Sequence, residues 1–72
     1  MERHRTVFIE YETDNELMEC YEHLSIDRTQ RIEIEGVEYG VHSIRLVIYY
    51  GRIPGQEVEF TQYVYLNRMP SS

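Results

Sequence analysis

Between Ile44 and Leu66, apolar and polar residues alternate with a period of two on both sides of the turn-forming Gly51-Arg52-Ile53-Pro54-Gly55. Ile44, Leu46, Ile48 and Tyr50 share one parity before this turn, and Val58, Phe60, Gln62, Val64 and Leu66 share one after it. Successive side chains of a strand point to opposite faces, so each arm reads as a strand with one face turned to a core. The opposite parity holds Arg45, Val47, Tyr49, Tyr63 and Tyr65, which a half-covered sheet must present to water or to a partner.

Upstream, Arg5 to Glu12 alternates in the same way and predicts a first strand. Thr13-Asp14-Asn15-Glu16 then matches the S/T-x-x-E capping box, in which the threonine hydroxyl and the glutamate satisfy each other's free backbone amides. Leu17, Cys20, Tyr21 and Leu24 follow at i, i+3, i+4 and i+7, one apolar stripe on a helical wheel. Together these signals predict a helix of about three turns from Asp14 to Leu24. Ser25 to Gln30 is a polar connection, with Ile26 as an anchor back to the core.

Arg31 to Glu35 alternates again with Ile32 and Ile34 inward, and Gly36 supplies the positive φ of a tight hairpin. Val37, Tyr39 and Val41 share one parity, whereas Ile44, Leu46 and Ile48 share the other. One extra residue in a continuous strand produces such a slip, which predicts a β-bulge or sharp bend within Gly40 to Ser43. A last strand runs from Gln56 to Asn67, ahead of a frayed tail from Arg68 to Ser72.

The resulting expectation is an α+β fold of order β-α-β-β-β. Its antiparallel sheet carries the last three strands as a meander, one helix packs on one face, and the place of the first strand is open. The chain is expected to be one small domain, ordered over about residues 5–67. The expected core is Val7, Ile9, Leu17, Tyr21, Leu24, Ile32, Ile34, Ile44, Leu46, Ile48, Val58, Phe60, Val64 and Leu66. Phe8 falls with the uncovered face.

Composition narrows the function classes. Seventy-two residues bury only about 60% of the extended-chain surface, so self-association is a natural supplement to the core. One cysteine, Cys20, cannot close an intrachain disulfide, and no paired Cys/His spacing suggests structural zinc. A reducing, cytoplasmic setting is the expectation, since no signal peptide or membrane span is legible. The net charge is -6, all seven basic residues are arginine, and an acidic surface disfavours direct binding of nucleic acid.

Candidate chemistry is sparse. Cys20 and His23 stand three apart on the expected helix, but two ligands do not make a metal site, and a thiol on the apolar stripe is a poor nucleophile. Glu33, Glu35, Glu57 and Glu59 alternate with apolar residues on strands and lack the dense oxygen cage that calcium requires. Arg3 and Arg5 beside His4 form a small basic end, read as a solvated terminus. No catalytic, cofactor or metal site is therefore expected.

Val47, Tyr49, Tyr63, Tyr65 and Arg45 remain as the candidate interaction face. Tyrosine offers large contact area at low entropic cost and keeps a polar tip, although cross-strand tyrosines also stabilise a wet sheet with no partner. The expected function is a small non-enzymatic protein-interaction module that self-associates, as a homodimer, through this face. The alternative is an acidic inhibitor or nucleic-acid mimic encoded by a phage or mobile element that binds a basic host protein.

Overall fold

The computed structural model describes residues 2–51, 55 and 57–70. Five strands account for all the regular structure among them: β1 Glu2–Glu10, β2 Glu16–Cys20, β3 Arg31–Ile34, β4 Val37–Tyr49 and β5 Val58–Arg68. The α+β expectation is thus corrected to an all-β fold, with one sheet of order β2-β1-β5-β4-β3 curled into a nearly closed, barrel-like form.

The expected helix over Asp14 to Leu24 is replaced by a turn, strand β2 and an extended connection. Thr13 does use its hydroxyl locally, but to reverse the chain. It donates to Glu10 Oε1 at 2.8 Å and accepts from the Asn15 amide at 3.4 Å. Asp14 adopts φ 61°, outside the helical region, and its amide donates to the Glu10 carbonyl. An eleven-residue helix is marginal in isolation, whereas β1 offers residues 16–20 a ladder of backbone partners. A register shift opposite Phe8 and Ile9 leaves Leu17 as the extra residue of that strand, and its side chain packs on the core. The helical stripe is an accident of spacing.

The last three strands do form a meander: β3 pairs with β4, and β4 with β5, both antiparallel. Glu35 and Gly36 join β3 to β4 as a two-residue turn with φ 50° and 81°, the left-handed pair of a type I′ hairpin. The sheet as a whole is mixed, because β1 lies between β2 and β5 and runs parallel to β5. That strand begins at Glu2, so Arg3, His4 and Arg5 are ladder residues and not a loose terminus. Beyond β5, the Met69 amide donates to the Glu38 carbonyl at 2.9 Å, which ties down the start of the expected frayed tail. Arg52 to Pro54 of the expected turn, Gln56, Ser71 and Ser72 lie outside the described residues.

The parity slip is a bulge at His42. Val41 pairs with Leu66 and Ser43 with Tyr65, leaving His42 as the extra residue. Because of it, Tyr39 and Val41 before the bulge and Ile44 after it all point to the same face as Val64 and Leu66. That face carries the core of Phe8, Tyr39, Val64 and Leu66. With no helix present, Leu24 and Ile26 of the β2–β3 connection supply the cover. Thr6 fixes this connection in place: fully buried, its hydroxyl donates to the Glu22 carbonyl at 2.7 Å.

This narrow cover explains the misplaced core residues. Leu46 and Ile48 have the expected parity but are 53% and 42% exposed, because β4 and β5 run on past the reach of Leu24 and Ile26. Tyr21, placed in the core by the helical stripe, is 77% exposed. Phe8, Tyr39, Thr6 and Gln62 are buried instead. The radius of gyration is 14.1 Å, against about 11 Å for a compact chain of this length, and the long axis reaches 53 Å. The molecule is a covered five-stranded body with a three-stranded extension of β1, β5 and β4.

Candidate interaction face

The face opposite the core assembles from alternate residues of three adjacent strands. The antiparallel register sets Ser43 beside Tyr65, Arg45 beside Tyr63, Val47 beside Thr61 and Tyr49 beside Glu59. The parallel register then sets Arg3, Arg5, Val7 and Ile9 beside Glu59, Thr61, Tyr63 and Tyr65. All five residues singled out by parity therefore stand on one surface. Tyr63, Tyr65 and Val47 are part-buried, while Arg45 and Tyr49 are exposed, Tyr49 to 70%. Tyr21 of the β2–β3 connection reaches the edge of this surface, where it lines a groove with Val47, Tyr49 and Tyr63. Val7, flanked by Tyr63 on β5 and Glu19 on β2, is nonetheless 98% shielded on this side.

At the extension, the surface sinks into a groove of about 290 Å³ lined by Arg3, Arg5, Tyr21, Val47, Tyr49 and Tyr63 among others. Sequence reasoning missed Arg3, Arg5 and Tyr21 here. Arg3 and Arg5 share the strand parity of Val7, a signal that could have carried β1 further upstream. Tyr21 had no such signal, since the false helical stripe claimed it.

The charges in the groove are largely compensated. Arg3 Nε lies 2.7 Å from Glu57 Oε2, and Arg5 lies 3.6 Å from Glu19. Glu19 also holds the Tyr21 hydroxyl above its ordinary pKa, first by a hydrogen bond and then by its negative charge. An anion would have to displace these glutamates, and the volume sits at the low end for small-molecule sites. Arg45 makes no ion pair among the described residues. The Arg5 Nε and His4 Nδ1 atoms are buried without a hydrogen-bond partner among those residues.

Other constellations are scattered. Cys20 is part-buried, His23 is exposed, and the His23 ring meets His4 edge-on at 6.1 Å. His4 in turn stacks on Phe60, with ring centroids 5.1 Å apart. Among the described residues, no group of three His, Cys, Asp or Glu side chains could hold a metal ion. Glu35 is taken into the β3–β4 turn and Glu57 into the Arg3 pair, so the strand glutamates do not converge. No helix among the described residues is long and apolar enough to cross a membrane. Comparison with protein-family models, curated proteins and solved structures finds no match for this chain.

Proposed function

We propose that this protein is a non-enzymatic, cytoplasmic protein-interaction module that associates with a second copy of itself through its tyrosine-bearing sheet face. One observation carries the reading: Arg45, Val47, Tyr49, Tyr63 and Tyr65 share one face of the sheet in register, with Arg45 and Tyr49 exposed and the other three part-buried. Such a surface combines apolar rings, hydroxyl tips and a guanidinium that makes no ion pair among the described residues, the composition enriched at protein contacts. A two-fold contact needs only this chain, and it adds burial that 72 residues supply sparingly.

The reading as an acidic nucleic-acid mimic has less support. Four glutamates are paired with arginines at 2.7–3.6 Å, through Arg3, Arg5, Arg31 and Arg68, and this breaks up the anionic field. The test is sedimentation or light scattering at micromolar concentration, expected to give twice the monomer mass. Tyr49→Ser together with Tyr63→Ser should raise the dissociation constant at least tenfold, while Glu33→Ala leaves it near the parent value. A strictly monomeric parent protein would refute self-association.

A further inference from the structure

The outer edge of β4 is open. β3 covers it only from Val37 to Gly40, and no backbone hydrogen bond among the described residues reaches it from Val41 to Tyr49. At the bulge, the Arg28 guanidinium donates to the His42 carbonyl at 3.4 Å. Beyond the bulge, Ile44 to Tyr49 is a straight run of ladder residues with a row of unpaired amides and carbonyls. Natural edges are blunted by proline, by several charges or by a bulge, and this run has only Arg45. Leu46, Ile48 and Tyr49 are exposed along it, and Tyr50 follows at 73%.

Charge selects the occupant. The chain carries -6, yet residues 39–56 contain no acidic residue. Two copies can therefore meet along β4 without opposing carboxylates, which few other segments permit.

Resting on the self-association proposed above, we infer that the tyrosine face meets its copy through its β4 rim: β4 pairs antiparallel with β4 of a second copy, the two-fold axis passing through Val47. Directly opposed residues share a face. An axis perpendicular to the sheet therefore continues the apolar face of one copy into that of the other, and likewise the tyrosine face. With Val47 opposite itself, Leu46 meets Ile48, and Arg45 meets the ring of Tyr49, an aliphatic pair and a cation–π pair on opposite faces. An axis at Arg45 instead opposes two guanidinium groups, which is unfavourable. The pairing closes the free edges into one continuous sheet and joins the two uncovered extensions.

The register is tested by cysteine crosslinking of the full chain in a Cys20→Ser background. Val47→Cys should give a covalent dimer under mild oxidation, since directly opposed Cα atoms lie within disulfide reach. Arg45→Cys should not, because its two copies stand four ladder positions apart, about 13 Å. A second pair of variants needs no oxidation. Tyr49→Arg opposes arginine to Arg45 and should weaken the dimer at least tenfold, and adding Arg45→Glu should restore it by placing a carboxylate opposite the new guanidinium. Both positions are exposed, so the fold survives the changes.

A dimer by mass in which Val47→Cys fails to crosslink and the charge swap fails to rescue would overturn edge pairing while leaving self-association through the face in place. A protein that is monomeric at every concentration would overturn both.

Discussion

Single residues decide where this chain turns, and one of them makes stability depend on pH. Asp27 follows Ile26, which packs on the core, and its carboxylate accepts from the Thr29 amide at 2.8 Å and the Thr29 hydroxyl at 2.9 Å. These hydrogen bonds hold its pKa below the ordinary carboxylate value, the backbone bond contributing most. A depressed pKa means the stabilising contribution is complete above the ordinary Asp range near 4 and is lost as pH falls through the lowered value. Urea unfolding should therefore show the parent more stable than Asp27→Asn at pH 7, with the gap closing as the pH falls through the lowered pKa. An equal gap at both pH values would show that the carboxylate charge is irrelevant to this turn. Thr13 illustrates how residue-scale chemistry misleads, because the same hydroxyl that caps a helix also closes a turn, and its own position does not say which.

At the scale of elements, the bulge at His42 is the decisive feature of β4. It lets Tyr39, Val41 and Ile44 face the same core although their numbering changes parity. Deleting His42 makes Val41, Ser43 and Ile44 consecutive residues opposite Leu66, Tyr65 and Val64, so register and core face are kept and the variant should retain a cooperative unfolding transition in a denaturant titration. Replacing it by glycine keeps the residue count but removes the stacking of its ring on Tyr11 at 3.7 Å and the hydrogen bond between its Nδ1 and Ser43 Oγ at 3.0 Å, and should cost about 1–3 kcal/mol. Loss of the cooperative transition on deletion would show that the bulge is itself required and does more than correct the parity of β4. The bulge was legible from parity, as was the hairpin at Gly36, because both are local violations of a period-two pattern. The β1–β2 hairpin was not, because Leu17 to Leu24 fits a helical wheel as well as it fits a short strand and a covering connection.

At the scale of the whole molecule, the two ends of the chain are bound to each other through the parallel pairing of β1 with β5, from Glu2 with Val58 to Glu10 with Leu66. Pairing across such separation must close nearly the entire chain before it is rewarded, so folding should be slow for the chain's length. Stopped-flow refolding is expected on the millisecond-to-second scale, and microsecond folding would contradict the topology. The same arrangement leaves one cover for two demands. Residues 21–30 shield the centre of the core face through Leu24 and Ile26, while Leu46 and Ile48 further along β4 remain exposed. The elongated shape and the open β4 edge follow from that shortage.

The alternation of side chains along Ile44 to Leu66 determined, before any coordinates, that Arg45, Val47, Tyr49, Tyr63 and Tyr65 share a face and that the strand must bulge near His42, because strand parity is a local geometric rule. Four decisions belonged to the tertiary structure: the identity of the cover, the parallel seat of β1, the exposure of Leu46 and Ile48, and the open edge of β4. Each depends on contacts between residues far apart in the chain, where several arrangements satisfy the same local pattern and only the competition for backbone partners and apolar cover selects one.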